Sequence, residues 1–186
     1  MQALTVDVFL SVDGWAGSEN SPGYFGYHGP ELEEWISAEW ALPQTILLGR
    51  RTYEAFAALP EEARDASWRR MTEVDKVVFS TTLETASWPN TRIRRELVAE
   101  VTRLKKDGEL PLRTVGSLSV ARQLLDAGLV ERLRLMTFPL LVGRSGREPF
   151  FAGVSSADLE LVGHRALDDR VLLIEYRPTG SDIPRA

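Results

Sequence analysis

The sequence has no cysteine, two histidines and three methionines among its 186 residues. Without cysteine there is no thiol nucleophile, no disulfide framework and no thiolate zinc site, a composition that suits the reducing cytoplasm, the expected location. His28 and His164 lie far apart in the chain, so an imidazole metal centre is not expected. No apolar run approaches the ~18–20 residues of a membrane span, so no membrane partner is expected. Basic residues are outnumbered, 22 Lys and Arg against 27 Asp and Glu, and the net charge of −5 argues against a nucleic-acid partner. The first ten residues alternate like a strand and lack a basic segment or cleavage site, so no secretory signal is expected.

Apolar residues make up 44% of the chain, enough to bury a core. At about 150 residues per domain the length predicts one domain, over residues 1–176, with a polar tail at 177–186. Leu4, Val6, Val8 and Leu10 alternate with polar or aromatic neighbours, as in a strand. From Asp13 to Pro30 the chain holds five glycines and no regular period. A loop of that length predicts a mobile, functional segment, whose Trp15, Tyr24, Phe25 and Tyr27 suit a lid. Leu32, Trp35, Ile36 and Trp40 then mark one face of a helix, and Thr45–Leu48 reads as a buried strand ending at Gly49.

Strand and helix alternate onward. A short helix spans Thr52–Leu59, and strands follow at Lys76–Phe79 and Leu112–Val115. Helical spacing marks Leu97, Val98, Val101 and Leu104, then Leu118, Ala121, Leu124 and Leu125. Leu133 and Leu135 begin another strand, and Leu159–Tyr176 reads as a β-hairpin turning at Asp168-Asp169. The pattern predicts a three-layer α/β/α fold, with a mostly parallel sheet and a C-terminal antiparallel hairpin. Ligands of such sheets sit beyond the carboxyl ends of the strands, which directs attention to the turns after Leu48 and Val115.

Gly116-Ser117-Leu118-Ser119 joins a strand to a helix, where freed amides favour an anion such as phosphate; a plain Ser cap of the helix is the alternative. Gly49-Arg50-Arg51-Thr52 occupies the same kind of position. Two guanidiniums there oppose the helix dipole, which solvation of an exposed Arg pair leaves unexplained and a bound phosphate would account for. Arg92, Arg94 and Arg95 either add positive field or form a solvated strand-to-helix connection.

Taken in order, Ser11-Val12-Asp13-Gly14-Trp15-Ala16-Gly17, Leu48-Gly49-Arg50-Arg51-Thr52-Tyr53-Glu54, Val78-Phe79-Ser80-Thr81-Thr82 and Val115-Gly116-Ser117 resemble the dihydrofolate reductase superfamily. The stretch Leu125–Leu135 with Pro139–Gly143 is similar to the riboflavin-biosynthesis reductase C-terminal domains within it. The resemblance covers roughly residues 4 to 176 and implies a dihydrofolate reductase-like fold, bound NADPH and a homodimer joined through the C-terminal strands. It further implies that Gly49, Arg50, Arg51 and Thr52 hold the 2′-phosphate and pyrophosphate, with Gly116, Ser117, Leu118 and Ser119 on the pyrophosphate. Ser80 and Thr81 would line the adenosine side, and Phe9, Ala16 and Gly17 would border the nicotinamide. Asp13 would contact substrate, as would Trp15 on the loop and Ser37 on the first helix.

Pterin reductases of the superfamily carry a carboxyl on the first helix about sixteen residues before the Gly-Arg turn, which corresponds to Glu33. At ~100° per residue Glu33 flanks the apolar face while Glu34 points away; Glu39, within the stripe, is a rival, and water is a third proton source. Glu31, Glu33 and Glu34 also fit the plain role of acids stabilised by the helix dipole. Three departures stand out: Ser117 replaces the second glycine of a Gly-Gly pair, Asp7 replaces a lysine, and the riboflavin branch's Asp-x-Pro-x-Leu-x-x-Arg-like segment is missing. The function expected is an NADPH-dependent reductase passing hydride to a small planar heterocycle, aminopyrimidine- or pterin-like. A non-catalytic NADP(H)-binding or ligand-sensing protein on the same fold is the alternative.

Overall fold

The computed structural model describes residues 1–183. The chain runs β1 (Leu4–Ser11), β2 (Trp15–Ser18), β3 (Ser21–Pro22), α1 (Pro30–Trp40), β4 (Thr45–Gly49) and α2 (Arg50–Ala57). It continues with α3 (Ala66–Glu73), β5 (Asp75–Phe79), β6 (Thr91–Arg94), α4 (Leu97–Asp107), β7 (Leu112–Val115) and α5 (Leu118–Asp126). The last elements are β8 (Arg132–Phe138), β9 (Gly146–Pro149), β10 (Leu159–Leu167) and β11 (Val171–Pro178).

Eight strands form one sheet in the order β10-β11-β8-β1-β7-β4-β5-β6. From β8 to β6 all neighbours are parallel, and β11 and β10 add the antiparallel edge. The period of two in β1 sorts its side chains between layers. Leu4, Val6, Val8 and Leu10 pack with Val101 and Leu104 of α4 and Val120 and Leu124 of α5. The opposite face of β1 carries Phe9, which packs with Leu32, Trp35 and Ile36 of α1. In β4, Leu47 joins the α4–α5 side, while Ile46 and Leu48 pack with Trp40, Tyr53 and Met71 of α1, α2 and α3. Helices on both faces thus yield the expected three layers. Among the described residues no helix is long and apolar enough to cross a membrane.

Several local expectations change. Residues 13–30 are not without regular structure: β2 pairs antiparallel with β3 and with β9, and a single 3₁₀ turn spans Phe25–Tyr27. α2 begins at Arg50, two residues earlier than the pattern suggests, with Gly49 as its cap. α3 is an additional helix, started by the Asp65 carboxylate accepting from the Trp68 amide at 2.8 Å. Thr91–Arg94 is an edge strand paired with β5, its arginines protecting an exposed edge. β11 extends through Arg177 and Pro178, so the polar tail starts at Thr179, and positions 184–186 lie outside the described residues.

The hairpin turn holds the start of α1. Asp168 and Asp169 both have positive φ, 54° and 51°, as the central pair of a type I′ turn closed by the Arg170 amide on the Leu167 carbonyl requires. The Asp168 carboxylate accepts from the Glu31 amide at 2.8 Å and the Leu32 amide at 3.2 Å, satisfying helix amides that α1 cannot satisfy itself. The Asp168 amide donates back to the Glu31 carboxylate. Gly29 makes room for this: a Cβ there would lie 2.3 Å from the Asp168 carboxyl carbon.

Candidate cofactor and substrate site

β7 and β4 are parallel neighbours, so the turns leaving their carboxyl ends meet side by side. One turn ends in Gly49, the cap of α2; the other is Gly116-Ser117, both left-handed, with φ of 64° and 59°. The Ser117 hydroxyl accepts from the Gly49 amide and donates to Thr52 Oγ1 at 2.8 Å. A Cβ at Gly49 would stand 2.7 Å from Ser117 Oγ, and one at Gly116 3.0 Å from Thr52 Cγ2, so both turns need their glycines. The serine that replaces a glycine here ties the two turns together.

Among the described residues neither α2 nor α5 has a side-chain cap, and although the Val120 amide donates to the Ser117 carbonyl, other amides of both first turns remain available at one place. Arg50 forms an exposed pair with Glu54 at 3.2 Å, whereas Arg51 is exposed and makes no ion pair among the described residues. Free amides, two positive dipole ends and a guanidinium are a donor set for phosphate oxygens. Phe79, at the end of β5, is in register with Gly49, so Ser80 and Thr81 follow at the same end of the sheet. The Ser80 hydroxyl is occupied within its turn, accepting from the Thr82 and Leu83 amides, while Arg95 donates to the Ser80 carbonyl. Arg94 pairs with Glu100, and Arg92 with Asp75 at 3.5 Å, so these two guanidiniums are spent locally.

The loop residues are held by the minor sheet. The Asp13 carboxylate accepts from the Gly143 amide at 2.8 Å and the Val142 amide at 3.3 Å. The Ser11 hydroxyl and these amides hold that carboxyl below its ordinary range. Trp15 lies over Gly146, where a Cβ would come within 2.3 Å of its ring, and its carbonyl accepts from the Tyr24 hydroxyl at 2.9 Å. Ala16 packs against the main core, and Gly17 is buried with its Cα facing Pro22 and Gly23.

On α1, Glu33 and Ser37 are exposed one turn apart. Glu33 meets His28, whose Nδ1 lies 2.8 Å from Glu33 Oε1. Phe9 stands edge-on to the His28 ring at 5.2 Å. Glu39 does something different. Its carboxylate takes a 2.8 Å bond from Arg134, which also grips Asp7 through both carboxylate oxygens, at 2.7 and 2.9 Å. Arg113 holds Asp7 from the other side at 2.6 Å, and Trp35 and Trp40 lie against the guanidiniums. The cluster pairs two cations with two anions beneath α1. Reading the sequence alone missed it, as it missed the His28–Glu33 pair. For the first, the signal is Asp7 in a strand whose neighbours present arginines; for the second, an acid five residues after a histidine across a helix start.

The sheet order, the helices on both faces and the paired turns define a dihydrofolate reductase-like α/β protein. More particularly, the chain belongs to the RibD C-terminal domain family, whose model matches residues 2–173. It is 26% identical over 142 residues to the uncharacterized protein YyaP of Bacillus subtilis, covering 73% of this chain and 74% of that one. Its fold is similar to a diaminohydroxyphosphoribosylaminopyrimidine deaminase/5-amino-6-(5-phosphoribosylamino)uracil reductase of Thermotoga maritima, with TM-score 0.68, 15% identity and coverage of 95% of this chain and 56% of that one. It is also similar to Enterococcus faecalis dihydrofolate reductase complexed with NADP(H) and RAB-propyl, with TM-score 0.64, 15% identity and coverage of 95% and 96%.

Proposed function

We propose that the protein is an NADPH-dependent reductase that passes hydride to an unsaturated carbon of a small planar heterocycle, aminopyrimidine- or pterin-like. One observation carries the reading: two uncapped helix starts, joined through Ser117, put free amides beside Arg51. A dinucleotide with a 2′-phosphate is the ligand that uses all of these groups. Bound NADPH supplies the hydride. In this reading Gly49, Arg50, Arg51 and Thr52 hold the 2′-phosphate and pyrophosphate, Gly116 to Ser119 the pyrophosphate, and Ser80 and Thr81 the adenosine side. Phe9, Ala16 and Gly17 border the nicotinamide, and Asp13, Trp15 and Ser37 face substrate. The proton comes from Glu33, one turn from Ser37, or from a group or water that Glu33 positions, and the chain otherwise orients the ring and excludes water.

The active form in this reading is a cytoplasmic homodimer. Support for the dimer comes from β10, a nine-residue edge strand, where Leu159, Leu161 and Val162 are exposed beside Leu172 of β11. The experiment is to follow the absorbance of reduced nicotinamide against a panel of dihydropterins and aminopyrimidines. Oxidation with at least one member supports the assignment. Tryptophan quenching by NADPH without turnover on any member would instead identify a binding or sensing protein.

A further inference from the structure

His28 is the one strongly buried imidazole that borders this region. Its side chain is only 7% exposed, against 53% for its partner Glu33. Glu33, when ionised, can only accept, so the 2.8 Å bond between them is Nδ1–H to Oε1. That bond fixes the ring and turns Nε2 away from the carboxylate. Nε2 is buried and has no hydrogen-bond partner among the described residues. Aromatic rings surround it: Phe9 of β1 edge-on at 5.2 Å, Phe138 of β8 stacked at 5.9 Å, and Phe25 of the 3₁₀ turn at 5.5 Å.

A buried polar atom without a partner is costly, and a phenyl ring would fill the same space without that cost. Packing therefore does not explain a histidine here. The arrangement is that of an acid–base group, an imidazole oriented by a carboxylate with its second nitrogen held out of water. Few other ionisable groups adjoin it. Tyr24 lies tilted against Phe138 at 5.3 Å and its phenol is pushed up by burial, β1 and β8 offer Phe9 and Phe138, and Arg170 is engaged over Tyr27. Phe25 is 62% exposed, so the loop side of His28 is the one nearest solvent, and a flat ligand would approach the imidazole from there.

We propose that His28, positioned by Glu33, delivers the proton that completes the reduction, an inference that rests on the reductase reading above. Hydride reaching the carbon of a ring C=N bond moves the π pair onto nitrogen. The new N–H bond forms as Nε2–H of the imidazolium breaks, while the imidazole keeps its Nδ1–H, which goes on donating to Glu33 Oε1. The heterocycle gains two electrons and two hydrogens, reduced nicotinamide is oxidised, and neutral His28 recovers a proton from solvent. His28 is then the catalytic residue and Glu33 a positioning residue.

The test begins with the panel member that the wild type turns over best. His28→Gln should lower kcat by about 10²–10⁴-fold with NADPH affinity unchanged. Glu33→Ala should fall with it, whereas Glu33→Gln, whose amide oxygen still accepts from Nδ1–H, should recover part of the rate. A direct role for Glu33 predicts the reverse, with Glu33→Gln as inactive as Glu33→Ala and His28→Gln spared. Two readouts are independent of turnover. His28→Phe should melt no lower than the wild type, and ring-nitrogen NMR of the wild type with folate should move the Nε2 resonance of His28. An active His28→Gln, or a Nε2 resonance that does not respond to bound folate, overturns the role of His28 while leaving the reductase reading intact. Failure of the wild type on the whole panel overturns that reading and this inference together.

Discussion

The Ser117 hydroxyl donates to Thr52 Oγ1 at 2.8 Å while accepting from the Gly49 amide, so one side chain joins the starts of two helices. Ser117 holds a left-handed φ of 59° to do so, a conformation that favours glycine. Ser117→Ala should cost about 1–3 kcal/mol, because the Gly49 amide loses its acceptor. It should also weaken NADPH binding, since the spacing of the two turns is no longer set. Urea denaturation and a tryptophan-quenching titration would check both. Wild-type values in each would show that the tie is incidental.

Arg50 and Arg51 differ in what already holds them. Arg50 is paired with Glu54, whereas Arg51 makes no ion pair among the described residues. Arg51→Ala should therefore lose about 1.5–3 kcal/mol of NADPH affinity, roughly 10- to 150-fold in Kd, with little change for NADH. Arg50→Ala should lose less. Parallel losses for both cofactors would remove these arginines from the 2′-phosphate.

Asp7 sits between Arg113 and Arg134, buried with both. Asp7→Asn keeps the shape and removes the charge, leaving two buried guanidiniums to share Glu39. A loss of about 3–5 kcal/mol is expected in denaturant unfolding. A loss of about 1 kcal/mol or less, the value of an exposed pair, would mean that the cluster is solvated.

Lys76 is fully buried, donating to the carbonyls of Met71, Thr72 and Val74. Burial pushes its ammonium down to about 8 from an ordinary 10.5, with Asp75 opposing. Between those values the unfolded chain binds more protons than the folded one, so stability rises with pH across that window. Relative to Lys76→Met, the wild type should gain in denaturation midpoint as the pH is raised from about 8 to about 10.5. Parallel curves would mean that the three carbonyls hold the charge as well as water does.

The parts of this molecule that read directly from its sequence are those that physics encodes locally. The alternation in Leu4–Leu10 has one structural solution, and the glycine turns at Gly49 and Gly116 announce strand-to-helix junctions. The two glycine turns were visible for that reason, although their joining through Ser117 was not. α3 has a short apolar pattern among arginines, and β6 pairs through its backbone while three of its four side chains are polar. The harder cases are long-range. Asp7 meets Arg134 because β1 and β8 align those residues in register, a relation set by the sheet across more than a hundred positions. His28 and Glu33 are close in sequence, but the burial that makes the imidazole unusual comes from Phe9 and Phe138 on two strands.

Asp168 gives the C-terminal hairpin a mechanical role. Its carboxylate grips the Glu31 and Leu32 amides, and Glu31 grips back, so the hairpin tip and the first turn of α1 move as one piece. Glu33 stands on the next residues of that turn. Whatever clamps the outer strands therefore also sets the angle at which α1 leaves Gly29, and with it the reach of Glu33 toward His28. The sheet edge becomes a handle on the helix start: under the proposed reaction, a subunit docking there would tune proton delivery from the far side of the helix.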